Sequence, residues 1–278
     1  MKIRVLTFNV WNTQGPPERL SLINRELKRI RPDLVAFQEV VRTGQLDGLQ
    51  QLIDGTELRG FHQADSQRIA PPYAAQYGGT AIASRWQCRL VEVLDMRFTD
   101  APDVPWATLA AVIELPDVGP LLFIATTAAW RPEASAIRER QALALADLDA
   151  RHRQDLPTLI AGDFNAEPDN ASIRFLTGAQ SLNGRSAFYR DAWSGEGKGP
   201  GHTWVSENAA AGSDGAKLLG ASEFARRIDY IFVAGPGAHP DGAARVVSAK
   251  LAFEKPLDGV WASDHFGVIV DLDVERSP

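Results

Sequence analysis

The sequence predicts an α+β fold: two packed, mainly antiparallel β-sheets with helices on their outer faces. Three observations predict it. A strand, helix, strand order occurs twice, from Ile3 to Glu39 and again from Pro120 to Ala161, and such units bury themselves by stacking layer on layer. Between these units, strand-like stretches follow one another with only turn residues to separate them, which suits antiparallel pairing. The two longest helical patterns each carry an apolar face for packing against a sheet.

With 278 residues, 45% of them apolar, the chain is long enough to bury a large core, and one domain over residues 1–278 is expected. Met1-Lys2-Ile3-Arg4 passes straight into a strand pattern, with no apolar leader or small-residue cleavage site. No stretch approaches the roughly 18 consecutive apolar residues of a membrane span. The lone Cys88 excludes an internal disulfide and a cysteine-rich zinc site, reads as a small buried hydrophobe, and fits a reducing cytoplasm. A net charge of −6 repels a polyanion unless basic residues gather locally. The modest basic clusters at 25–31 and 138–153 lie on helical patterns and read as solvated faces. A monomer is expected.

In chain order, Ile3 to Asn9 alternates and then turns apolar, a strand entering a core and ending on a polar residue. After Pro16-Pro17, the apolar residues Leu20, Ile23, Leu27 and Ile30 recur every three or four positions until Arg31-Pro32 closes an amphipathic helix. Asp33 to Glu39 is a buried strand that places Glu39, like Asn9, at a carboxyl end. Residues 41–57 read as helix, and 60–79 as a loop ending in Tyr77-Gly78-Gly79 that overhangs the site. Strands follow at Thr80–Ser84, Leu90–Leu94, Ala107–Leu115 and Pro120–Thr127, then a long helix from Glu133 to His152. Leu159 to Ala161 is a short buried strand that runs through Gly162 and delivers Asp163 and Asn165 to one side of a sheet edge. There a carboxylate can hold a water and a carboxamide a substrate oxygen. The same residues also suit an Asx turn ahead of a short helix from Asp169 to Leu176. Ser194–Gly201 reads as a Gly-rich loop leading to His202-Thr203-Trp204, and 207–222 as a small, polar, mobile insertion. Arg226–Val233, Val246–Leu251 and Val268–Leu272 complete the strands, the last preceded by Ser263-Asp264-His265.

Polar residues thus fall repeatedly at strand edges: Asn9, Glu39, Asp163 with Asn165, Asp229, and Asp264 with His265. Singly, each has a plain structural explanation: Glu39 as a helix-start carboxylate, Asp229 as a partner of Arg226 or Arg227, His265 as a satisfied core histidine. Together they sit in Thr-Phe-Asn-Val (7–10), Gln-Glu (38–39), Gly-Asp-Phe-Asn (162–165), Arg-Ile-Asp-Tyr (227–230) and Ser-Asp-His (263–265). In that order they resemble the endonuclease/exonuclease/phosphatase superfamily, the fold of pancreatic-type deoxyribonuclease, apurinic endonucleases and neutral sphingomyelinases. The resemblance spans residues 7–265 and implies a four-layer α/β-β/α sandwich that hydrolyses a phosphoester with a divalent metal. It implies Mg²⁺ or Mn²⁺ at Glu39 and Asn9, with Asp264 touching the metal or sitting behind it; such oxygen donors suit hard cations. It further implies that Asp163 orients or deprotonates the attacking water and that Asn165 hydrogen-bonds a phosphoryl oxygen. His265 then contacts the phosphate or its leaving group, and Asp229 fixes the tautomer and charge of His265.

One strand departs from the family pattern. Many members carry Thr-His-Leu or Asn-His ahead of an Arg-x-x-Gln pair; here Ile124-Ala-Thr-Thr-Ala-Ala-Trp130 precedes Arg138 and Gln141. Thr127, or Ala128 with a slip of one residue, stands where histidine is expected, and neither is an acid near neutral pH. Thr127 therefore reads as a substrate contact, and His202 in Gly-His-Thr-Trp as a substrate-loop residue able to replace the acid. Two readings follow. One is a working phosphoesterase in which metal, His265 or substrate covers the missing acid. The other is a member that has lost hydrolysis and binds a phosphorylated ligand or runs another reaction in the same pocket; retention of the remaining site residues favours the first. The acidic charge and lack of a basic arm rank a phosphorylated small or medium organic substrate above DNA, with nucleic acid second. Tryptophans on loops, such as Trp11 and Trp204, can stack on a base or ring, though any one of them can equally be a core residue.

Overall fold

The strand alternation of the sequence becomes two six-stranded sheets in the computed structural model, which describes residues 1–66, 78–99, 106–239 and 242–276. The first unit is β1 (Lys2–Asn9), α1 (Arg19–Ile30) and β2 (Leu34–Val40), with β1 and β2 parallel. Its sheet is completed by β3 (Arg59–His62), β4 (Gly79–Ser84), β13 (Gly242–Ala252) and β14 (Gly267–Arg276), in the order β13-β14-β1-β2-β4-β3. The second unit is β7 (Gly119–Thr127), α3 (Ser135–His152) and β8 (Leu156–Asp163), again a parallel pair around a helix. Its sheet adds β5 (Cys88–Asp95), β6 (Ala107–Leu115), β9 (Tyr189–Asp191) and β12 (Asp229–Ala234), in the order β5-β6-β7-β8-β12-β9. All other pairs in both sheets are antiparallel, so each sheet is mixed, with one parallel pair.

Side-chain parity assigns each residue to a layer, because successive strand residues point to opposite faces. Ile3, Val5, Leu34 and Ala36 from one sheet meet Phe123, Ala125, Leu159, Ala161, Ile231 and Val233 from the other in a core between the sheets. The alternate residues Leu6, Phe8, Val35 and Phe37 pack outward with Ile23 and Leu27 of α1 and with Leu49 and Leu52 of α2 (Gly48–Ile53). Val112, Leu122, Ile124 and Ile160 pack outward with Leu145 and Leu148 of α3 and with Ile173 and Phe175 of α4 (Ala171–Leu176). The layers are therefore helix, sheet, sheet, helix.

Several elements differ from the sequence reading. Of residues 41–57 only α2 is helical, because Asp47 caps it by accepting from Gln50 N and the chain turns at Gly55 in a left-handed conformation. Residues 60–62, read as the start of a loop, belong to β3 and pair with β4, while residues 67–77 of that expected overhanging loop lie outside the described residues. The Gly-rich loop at 194–201 begins inside the short helix α5 (Ala192–Glu196). The expected mobile insertion at 207–222 is helix α6 (Ala209–Leu219), capped by Asn208 at one end and by left-handed Gly220 at the other. Its small residues are what packing requires, since a β-carbon on Gly215 would stand 2.2 Å from the Phe224 ring. The charged start of the strand at 226–233 is a separate short strand, β11 (Ala225–Arg226), paired with β10 (Trp204–Val205).

Candidate active site

The core between the sheets turns polar at one end. Continuing the inward-facing parity of Ile3 and Val5 leads to Asn9, that of Leu159 and Ala161 to Asp163, and that of Ile231 and Val233 back to Asp229. Asp163 and Asp229 lie directly opposite each other in the β8–β12 ladder, which forces two buried carboxylates together. The Asn9 amide nitrogen donates to Glu39 Oε1 and to Asp163 Oδ2, each at 3.1 Å, and its oxygen accepts from Trp11 N at 2.9 Å. Asn9 thus ties the two sheets' carboxylates together with its nitrogen, while its oxygen is occupied by the backbone.

Glu39 has outward parity, and the backbone corrects this. Its φ is 58°, and the β2–β4 register shifts between Phe37 and Val40. Gly78 permits the turn, since a β-carbon there would lie 2.4 Å from the Glu39 carbonyl. Asn12 Nδ2 donates to Glu39 Oε2 at 2.9 Å. Burial, and then Asp264, push the Glu39 carboxyl up to about 7. Among the described residues its side-chain hydrogen bonds come from these two amides and from no basic side chain.

His265 donates from Nδ1 toward Asp229 Oδ2 at 3.0 Å, which turns Nε2 toward Asp163 Oδ2 at 3.9 Å. Burial alone would depress its basicity, but Asp229, Asp264 and Asp163 outweigh it and hold the imidazolium pKa well above the usual histidine value. Asp163 moves the other way for a carboxyl: burial and Asp229 push it up to about 7 despite His265 and the Asn165 and Asn9 hydrogen bonds. Asp229 Oδ1 is buried with no hydrogen-bond partner among the described residues. Asp163, Asp229 and His265 each offer a ligand atom within 4.8 Å of one another.

Asn165 does not extend the strand. Its φ is 49°, its backbone N–H donates to Asp163 Oδ1 at 2.9 Å in an Asx turn, and its side-chain amide donates to Ala128 O at 3.2 Å. Asp264 accepts from Ser263 Oγ at 3.2 Å, and burial raises its carboxyl pKa. Thr127, read from the sequence as a substrate contact, ends β7. It is fully buried, in register with Asp163, and its hydroxyl faces Thr80 Oγ1 of the other sheet at 3.2 Å. Inward parity at that strand end is thus spent on a bond between sheets. His202 is half-buried beside Thr203, whose hydroxyl accepts from Ile228 N and Asp229 N. Arg226 and Arg227 pair with Glu167 and Asp191 rather than with Asp229.

Sequence reasoning missed the residues that hold this site. Asn208 donates to the carbonyls of Ser263 and Asp264 at 2.9 and 3.1 Å, Thr203 seats the start of β12, and Asn12 and Arg19 frame Glu39. Their bonds run mostly to backbone, so no residue type elsewhere signals them.

A helix-sheet-sheet-helix sandwich with carboxylates, amides and a charged histidine at one mouth defines a hydrolytic enzyme of the deoxyribonuclease I-like architecture. The chain belongs to the Endonuclease/Exonuclease/phosphatase family, whose model matches residues 6–265. Members of this family are metal-dependent phosphoesterases and nucleases. No curated protein matches the chain by sequence. Among solved structures, D. rerio TDP2 complexed with single strand DNA product is similar at a TM-score of 0.73 and 18% identity, covering 98% of this chain and 99% of that one. The endonuclease/exonuclease/phosphatase from Bacteroides vulgatus gives 0.70 and 17% over 99% and 100% of the two chains. The human Nocturnin catalytic domain with bound sulfate anion gives 0.65 and 20% over 98% and 93%. At such identities these likenesses establish the fold alone.

Proposed function

We propose that the protein hydrolyses a phosphoester with a divalent cation, Mg²⁺ or Mn²⁺, held at Glu39 and Asp264. The donor set fits such an ion: Glu39 and Asp264 are hard oxygen donors whose pKa values are raised by burial, and a cation relieves that cost. When bound, the ion would neutralise phosphoryl charge and stabilise the leaving oxygen. Asn9 acts here as the bridge that spaces Glu39 from Asp163 rather than as a ligand through its oxygen.

The single observation that carries the reading is Asp163, tied to Glu39 through one amide and facing the Nε2 of a histidine that Asp229 anchors. A carboxyl titrating at about 7 accepts a proton from water most effectively near neutral pH. The His265 imidazolium, fixed by Asp229 at Nδ1, presents its Nε2–H to a phosphoryl or leaving-group oxygen. Asn165, held through Ala128 O, has a second amide N–H for a phosphoryl oxygen. Because β7 carries no acidic, basic or histidine side chain and the Thr127 hydroxyl is paired with Thr80, His202 is the residue proposed to assist at the substrate rim.

A phosphorylated small or medium organic molecule is the proposed substrate class, with nucleic acid second; the TDP2 complex with single strand DNA product supports keeping the latter. The chain is proposed to act as a monomer in a reducing cytoplasm, and burial pushes its one cysteine thiol, Cys88, up to about 12, out of reach of ready oxidation. No helix among the described residues is long and apolar enough to cross a membrane. The test is hydrolysis of bis(p-nitrophenyl) phosphate with Mg²⁺, with Mn²⁺ and with chelator. Metal-dependent release of nitrophenolate is expected. A protein that binds the ion yet turns over no activated ester would be a ligand binder instead, the reading that the buried Thr127 favours.

A further inference from the structure

Arg19 breaks three local rules. It is the first residue of α1, where the helix dipole disfavours a cation. It is 2% exposed, and burial drives its guanidinium pKa down to about 10. It also has no carboxylate within salt-bridge distance among the described residues. A charge this costly is retained only when its surroundings use every donor it has.

They do. Arg19 Nε donates to Gln14 O at 2.8 Å, Nη1 to Val10 O at 3.0 Å and to Ala262 O at 2.5 Å, and Nη2 to Trp11 O and Asn12 O at 3.3 Å each. These account for all five guanidinium N–H bonds. The carbonyls belong to the two loops that flank the carboxylates. Residues 10–14 carry Asn12, which donates to Glu39, and Ala262 leads directly into Ser263-Asp264-His265. Trp11 and Asn12 sit at φ 58° and 37°, a left-handed pair that a bulky aromatic does not adopt unaided. The guanidinium grips both of their carbonyls and lies 5.1 Å from the Trp11 ring centroid. Asp264 and Glu39 are the charges that raise its pKa against burial, so it faces the proposed metal carboxylates without touching them.

We propose that Arg19 is a positioning residue for metal binding: it clamps the loop after β1 to the loop before β14 and so sets the separation of Glu39 and Asp264. This inference rests on the metal-dependent reading above. Lysine, with a point charge and three donors, cannot span five carbonyls.

The test compares wild type, Arg19→Lys and Arg19→Met, measuring Mn²⁺ affinity by calorimetry, melting temperature, and kcat and KM on bis(p-nitrophenyl) phosphate. Arg19→Met is expected to weaken Mn²⁺ binding by tenfold or more and to lower kcat in step, with KM at saturating metal changed less than threefold. Arg19→Lys is expected to fall between the two. Millimolar guanidinium, but not equal NaCl, should restore part of the lost Mn²⁺ affinity in Arg19→Met, a rescue that a purely structural role does not give. If Arg19→Met does not fold, Arg19→Lys carries the comparison. A folded variant whose Mn²⁺ affinity and kcat stay within twofold of wild type overturns this inference alone. A wild type that binds neither Mn²⁺ nor Mg²⁺ overturns the functional reading and this inference with it.

Discussion

The units β1–α1–β2 and β7–α3–β8 are one device built twice and put to two uses. Each is a parallel pair joined by a helix, with strand ends in register, Asn9 beside Gln38 and Thr127 beside Asp163. Each helix carries in its first turn a buried arginine that gathers the carbonyls of the preceding loop. Arg19 does so for residues 10–14, and Arg138 for Ala129, Arg131 and Pro132. The difference lies in what the loops then reach. The Arg19 loop brings the Asn12 side chain to Glu39, whereas the Arg138 loop meets the site through the Ala128 backbone, whose N–H donates to Asp163 O and whose carbonyl accepts from Asn165. Topology thus supplies two polar strand ends, and local backbone sets them apart: one gathers Asn12 around Glu39, the one proposed to hold a cation, while the other places Asp163, proposed to handle a proton, opposite Asp229.

The sharpest way to break that comparison is to exchange the two effects. Asp163→Asn and His265→Ala are each expected to lower kcat by about a hundredfold or more, the scale of losing a base or a charge stabiliser. Mn²⁺ affinity should change by less than about threefold in Asp163→Asn. Steady-state kinetics beside calorimetry checks this, and a near wild-type rate removes that residue from the mechanism. Glu39→Gln should do the converse, weakening Mg²⁺ or Mn²⁺ binding by about tenfold or more, since a neutral amide replaces the carboxylate ligand. Unchanged affinity would move the cation elsewhere, to Asp163, Asp229 and His265.

The strand end at Thr127 predicts a steep dependence of rate on leaving-group pKa, because an alkoxide without a proton donor raises the barrier while a phenolate hardly needs one. A series of aryl and alkyl phosphodiesters measures the slope. A shallow one means that a residue such as His202 already donates, and Thr127→His should flatten a steep one if the imidazole reaches the pocket.

Smaller effects are expected in stability. Glu39 rises from 4.5 and Asp163 from 3.8, each to about 7, so their ionised forms are disfavoured by folding. His265 is raised, so its contribution is present at low pH and lost as pH rises through its folded value. The signs of these three agree, while His62 and His239, which burial lowers, act the other way, so the comparison is with Glu39→Gln/Asp163→Asn: relative to that variant the metal-free protein should lose stability as pH climbs from about 4 to 7, by a few degrees in melting temperature, and Mg²⁺ should restore more at the upper end. A difference from that variant that grows in favour of the wild type over that window contradicts the arrangement. The smallest effect belongs to Thr127→Val, which removes one buried hydroxyl pair with Thr80 and should cost about 1 kcal/mol with kcat within twofold. A large loss of kcat would return Thr127 to the reaction.

Much of this was legible in the sequence, and the physical reasons separate what was from what was not. Strand alternation fixes parity, so Asn9, Asp163 and Asp229 could be read as the polar ends of inward-facing stripes, and their order with Glu39 and Ser-Asp-His identified the family. Helix α6 was missed because its small, polar residues look unstructured until Phe224 packs on Gly215. For Thr127, parity says that it faces inward but not that Thr80 waits there. Glu39 stands in the site only because a register shift and a left-handed φ turn it, and that depends on the close approach of Gly78. Arg19, Asn208 and Thr203 act on backbone carbonyls and amides, which are the same at every residue and carry no sequence signal. The sequence by itself determined the layers and which strand ends are charged. Only the tertiary structure decided which backbone groups, as many as 243 positions apart, would come together to hold those charges in place.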